Sequence, residues 1–125
     1  MAIADFHSSF LTLDERESAV IATITRPQLS EEENIDVLGK ELVDLVEQHG
    51  CRKMIVNLQH VTYITSAALG KLITLHRRLH RKEGQLIVCG ATESVKDVLR
   101  ASRLDEYFIV VDDAEAALSR MIGAA

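Results

Sequence analysis

Two adjacent hydroxyls, Thr65 and Ser66, stand where an apolar run ends and a helical pattern begins, in the segment KMIVNLQHVTYITSAALGKL from Lys53 to Leu72. The first N–H groups of a helix lack intrahelical partners and sit at the positive end of its dipole, so an anion is favoured there. Two chemistries fit this junction. A Ser or Thr hydroxyl caps the helix, as in ordinary helices. Alternatively, a hydroxyl accepts a phosphoryl group, which brings about −1.5 to −2 charges to the helix start near neutral pH.

Other chemistry is sparse. The chain has no Walker-type loop, no GxGxxG after a strand, no GxSxG elbow and no HExxH pair. Ser66 has no base evident in the sequence, so an enzyme using it as nucleophile is the weakest reading. His60 reads as a strand-end histidine. His76 and His80 share a metal-binding spacing, but Arg77, Arg78, Arg81 and Lys82 beside them would repel a cation, and no metal is expected. That basic run suits a helix C-terminus, and its functional alternative is a positive patch for an acidic partner face. Glu32, Glu33, Asp36, Glu41, Asp44 and Glu47 read as a solvated helix side. Cys51 and Cys89 belong to no CxxC pair and read as reduced thiols, Cys89 packed as a small hydrophobe.

The elements that must hold the hydroxyls follow from periodicity. Phe10 to Leu13 and Ala19 to Ile24 read as strands joined by a polar turn, Asp14 to Ser18, and Pro27 ends the second. Ser30 before three glutamates reads as the cap of a helix carrying Ile35, Leu38, Leu42, Leu45 and Val46, closed by Gly50. Met54 to Leu58 reads as a strand buried on both faces, and Ser66 to Lys82 as a helix stopped by Gly84. A strand at Leu86 to Cys89, a helix at Glu93 to Ser102, a strand at Phe108 to Val111 and a helix at Ala114 to Ile122 complete the chain. The order ββαβαβαβα predicts an α/β fold: one domain over residues 1–125, with a mixed, mostly parallel sheet, an N-terminal hairpin and about four helices. In such sheets ligands engage loops at the carboxyl ends of strands, and Thr62 to Ala68 is such a loop.

Composition excludes several classes. With 125 residues, 47% hydrophobic and 26% charged, the chain reads as one soluble globular unit. Its net charge of −5 argues against a broad nucleic-acid surface. No apolar run approaches the roughly 20 residues that span a bilayer, and the start lacks a secretory pattern, so a cytoplasmic protein is expected.

The residues Thr65-Ser66-Ala67-Ala68-Leu69-Gly70, preceded by Val61, Tyr63 and Ile64, resemble the Asp-Ser-Ser-Gly-Leu-Gly pattern of the STAS domain, in its stand-alone anti-sigma factor antagonists. Gly84-Gln85-Leu86, Val95 to Leu99, Leu104 to Phe108 and Glu115-Ala116-Ala117-Leu118 extend the similarity over nearly the whole chain. The resemblance implies a non-enzymatic partner switch that binds an anti-sigma factor serine kinase and is inactivated by phosphorylation at Ser66, with Thr65 as fallback acceptor. Thr62, Thr65, Ser66, Ala67, Ala68 and Leu69 are the implied partner-binding residues. ATP belongs to the kinase, the chain itself needs no cofactor, and a serine phosphatase is an optional further partner. Thr65, Ala67 and Ala68 depart from the family's Asp, Ser and Gly, and Arg26 to Ser30 replaces its Gly-Glu-Leu-Asp segment, with only Leu29 matching. These departures keep a second reading open: a STAS interaction module, scaffold or transporter-associated, that is never phosphorylated.

Overall fold

Alternate residues of the three central strands, buried on both faces, enter two different cores, and this sets the layering. Residues 8 and 10–122 are described by a computed structural model. The chain forms β1 (Leu11–Arg16), β2 (Ala19–Ile24), β3 (Gln28–Leu29), α1 (Glu32–Glu47), β4 (Lys53–Asn57), β5 (Tyr63–Ile64), α2 (Ser66–Arg81), β6 (Gln85–Cys89), α3 (Glu93–Ala101), α4 (Leu104–Tyr107), β7 (Ile109–Val111) and α5 (Ala114–Ile122). The main sheet runs β1-β2-β4-β6-β7, parallel except for the antiparallel β1–β2 hairpin. Val20, Met54 and Leu86 lie in register, as do Ala22, Val56 and Val88, and both rows face the larger core with α1, α2 and α3. Ile21, Ile55, Ile87 and Ile109 form the row on the other face, beneath Ala117, Leu118 and Met121 of α5. Strands buried on both faces carry apolar residues at every position, which is why β4 and β6 read as unbroken apolar runs.

The expected architecture is present, with local corrections. The polar turn predicted at Asp14 to Ser18 is shorter, because β1 continues to Arg16 as an exposed edge strand paired with Ala19. Charged side chains suit an edge that must not recruit another strand. Ser30 does not cap α1: the N-cap is Glu31, without a side-chain cap, because Leu29 is already engaged in β3. Gly84 is not the residue that turns the chain out of α2. Glu83 takes the left-handed conformation (φ 59°), and Gly84 is required because a Cβ there would strike the Arg52 carbonyl. The pair β3–β5 and the single-turn α4 are too short to show a period, and the sequence reading contains neither.

Cys51 and Cys89 are buried and in no disulfide, and burial pushes each thiol up to about 11 from the usual 9.0, aided by Glu15 at Cys51 and Asp113 at Cys89. Both are expected to resist iodoacetamide at pH 8 in the native protein and to react once it is unfolded. Since the folded thiols ionise later than the unfolded ones, their contribution to stability is intact below pH 9 and is lost as pH rises towards 11. Urea titrations across that window should show the midpoint falling.

Candidate functional site

The loops after β2, β4 and β6 meet at the carboxyl edge of the parallel strands, and hydrogen bonds tie them together there. Leu58 N–H donates to the Cys89 carbonyl (2.9 Å), and the Thr92 hydroxyl donates to the Val61 carbonyl (3.0 Å). Asn57 is buried at the tip of β4, where its Oδ1 accepts from Gln59 N–H (3.1 Å). Gly90 passes close above it at φ 72°, where a Cβ would strike that same oxygen.

The loop from β2 supplies the second anchor. Thr62 donates to the Pro27 carbonyl through both its N–H (2.7 Å) and its hydroxyl (3.1 Å). Gln28 pairs with Tyr63 and Leu29 with Ile64, forming a two-stranded parallel ladder outside the main sheet. Leu29, Val61 and Ile64 are buried beneath it. Thr65 then donates twice to the Leu29 carbonyl, from its N–H (3.2 Å) and its hydroxyl (3.1 Å), while the same hydroxyl oxygen accepts from Ala68 N–H (3.3 Å).

Thr65 is therefore the N-cap of α2, and Ser66 is its first helical residue. Of the two chemistries open to this pair, capping falls to Thr65. The Ser66 side chain is exposed and has no hydrogen-bond partner among the described residues. Its N–H and that of Ala67 belong to the unpaired first turn, and no acidic residue occupies that turn. Such a helix start can accommodate an anion.

The remaining expected residues divide by depth. Thr62 and Ala67 are exposed, Thr65 is half-buried, and Ala68 and Leu69 are buried at 3% and 2% exposure, fastening α2 to the core. Tyr63, read from the sequence only as an apolar position, is 55% exposed and stands beside Thr62 on the outer side. The signal for it was available: two consecutive residues of a strand point to opposite faces, so burial of Ile64 turns Tyr63 outward. His60 is exposed and lies against Gln59 (3.3 Å). His76 and His80 stack at 5.9 Å near the far end of α2 and join no group of metal-binding side chains among the described residues.

The STAS domain family matches residues 11–117. BtrV of Bordetella bronchiseptica, whose name gives it a candidate role as an anti-sigma factor antagonist, is 29% identical over 107 residues, covering 86% of this chain and 90% of its own. A candidate anti-sigma factor antagonist from Thermotoga maritima has a similar structure, with TM-score 0.80 at 20% identity, covering 90% of this chain and 95% of its own. The unphosphorylated anti-sigma factor antagonist SpoIIAA is also similar, with TM-score 0.76 at 18% identity, covering 90% and 96%. The phosphorylated form of SpoIIAA from Bacillus gives 0.67 at 16% identity, covering 88% and 97%.

Replacing Thr65 by Val keeps the shape but removes a cap and a cross-link to Leu29. Thr65→Val should lose about 1–2 kcal/mol in urea unfolding, whereas Thr65→Ser should remain close to the parent protein.

Proposed function

Because this chain belongs to the STAS domain family, we propose that it is an anti-sigma factor antagonist that acts by partner switching, with Ser66 as the phosphoacceptor. Members of the family are non-catalytic regulatory modules, so the phosphoryl chemistry belongs to the partner, an anti-sigma factor serine kinase that carries the ATP. The observation that supports Ser66 over Thr65 is the division of labour between the hydroxyls. The Thr65 hydroxyl already donates to Leu29 and accepts from Ala68, while Ser66 is exposed and its hydroxyl has no partner among the described residues. Among the described residues of this turn, Ser66 carries the one aliphatic hydroxyl without a hydrogen bond, since those of Thr62 and Thr65 are engaged.

The docking surface narrows to what is accessible: Thr62, Tyr63, Ser66 and Ala67, with the half-buried Thr65 between them and Ala68 and Leu69 supporting them from below. Tyr63 is the residue type that anchors interfaces, a rigid ring with a polar tip. A phosphate on Ser66 would insert charge into the middle of this patch, opposing a bound partner. In the free protein the same phosphate would sit on the open N–H groups of α2, so the modified form remains folded. A serine phosphatase would return the protein to its binding form.

Incubation with the kinase and ATP, followed by mass spectrometric mapping, should place phosphate on Ser66. If Ser66 and Thr65 both stay unmodified, the switch is excluded and the unphosphorylated interaction module takes its place. In a binding assay Ser66→Ala should hold the kinase, whereas Ser66→Asp should weaken it by more than about a hundredfold, equivalent to about 3 kcal/mol. Equal affinities would remove the charge mechanism.

A further inference from the structure

The cations of α2 divide into two groups. On the side facing α1, Lys71 pairs with Asp36 (3.1 Å), and Arg78 and Lys82 approach Glu47 (3.9 and 3.7 Å). On the side facing α4, Arg77 and Arg81 are exposed, as is Arg103 at the start of α4, and none of the three has an ion pair among the described residues. Asp105 and Glu106 of α4 are exposed nearby in sequence but pair with none of them. Neither carboxylate lines the space between these three guanidiniums, which make a local reversal of sign on a chain of net charge −5.

These cations rim a groove. A cavity of about 270 Å³ is lined by His76, Arg77, His80, Arg81 and Tyr107. A second, of about 300 Å³, adjoins it and shares Arg77 and Tyr107, adding Ile73, Arg103 and Leu104. Tyr107 is 43% exposed and packs on His76 (4.8 Å between ring centroids) and Phe108 (5.2 Å), so the floor is aromatic and aliphatic. The Nδ1 atom of His76 is buried there without a hydrogen-bond partner. Burial and the neighbouring His80 lower the His76 pKa.

We propose that this groove between the second half of α2 and α4 is a second docking surface, which takes an acidic segment of a partner protein. Guanidinium forks recognise carboxylates bidentately, and an apolar side chain between the carboxylates would seat against Tyr107. Two open cavities in series fit a length of chain better than a small molecule, which needs enclosure. A second copy of this chain is the poorer occupant. The pairs Asp36–Lys71 and Glu47–Lys82 show that α1 and α2 run parallel, so the acidic start of α1 lies at the opposite end from the groove. A copy would have to lie antiparallel across the groove to bring that end to the arginines, and the acids of α1 nearest α2, Asp36 and Glu47, are already engaged by Lys71, Arg78 and Lys82. Arg77 lies about 16 Å along α2 from Ser66 at 1.5 Å per residue, so the groove acts independently of the proposed phosphorylation site.

A fluorescein-labelled peptide of repeated Glu-Glu-Leu, titrated with the full chain by anisotropy, tests this. Binding should weaken as salt is raised, the matching Gln-Gln-Leu peptide should not bind, and amide shifts should centre on Arg77, Arg103 and Tyr107. Arg77→Glu and Arg103→Glu should each weaken binding at least about fivefold, since like charges would then meet in the groove, while Ser66→Asp should leave it unchanged. Both arginines are exposed, so thermal melts should match the parent, and Tyr107→Ala gives a charge-independent check through loss of the apolar contact. No binding at low salt, equal binding by the reversed variants, or shifts confined to Ser66 and its neighbours would overturn the proposal. Concentration-dependent assembly abolished by Arg103→Glu would assign the groove to a second copy instead.

Discussion

A single carbonyl, that of Leu29, accepts from both the N–H and the hydroxyl of Thr65, and the geometry at the start of α2 depends on that pair of hydrogen bonds. The carbonyl is itself held by the short β3–β5 ladder, which in turn rests on the buried Leu29 and Ile64 side chains. Because the hydroxyl oxygen also accepts from Ala68, the cap and the cross-link are one atom. Neighbouring Ser66 is thereby left with nothing to do structurally. A hydroxyl free of structural duty on a fixed frame is available for modification without loss of the fold.

This arrangement also accounts for the departure of the chain from its family's pattern. An Asp at position 65 could cap α2, but a carboxylate has no proton to offer the Leu29 carbonyl. Thr does both. The acidic character that an Asp would bring next to the proposed acceptor is absent, so recognition by the proposed kinase would rest on shape and on exposed groups such as Tyr63 rather than on a neighbouring charge. Ala68, at 3% exposure, packs its methyl into the core beneath the first turn of α2.

The second helix links two chemically different ends. Its N-terminus is neutral, exposed and set among the loops at the carboxyl edge of the sheet, while its C-terminal half carries guanidiniums that α1 neutralises on one side only. Cations near a helix C-terminus are favoured by the dipole wherever they point. Only the pairing with Glu47 decides which of them are compensated, and Arg77 and Arg81 face away from it.

Much of the fold was legible in the sequence because burial has a period. Val20, Ala22 and Ile24 alternate on one face of β2, the apolar runs of β4 and β6 announce strands covered on both sides, and Leu38, Leu42, Leu45 and Val46 mark the inner face of α1. The hydroxyl pair at the start of α2 was visible in the same way, as a polar break between two periods. Division of labour within that pair was not. It depends on Leu29, which lies 36 positions away from Thr65 and reaches it through a two-residue ladder too short for any pattern to reveal. The burial of Leu69 and the lack of an ion pair at Arg77 among the described residues likewise depend on what lies opposite in space. Local periodicity records which face of an element avoids water; a contact between elements distant in the chain is recorded only in the folded structure.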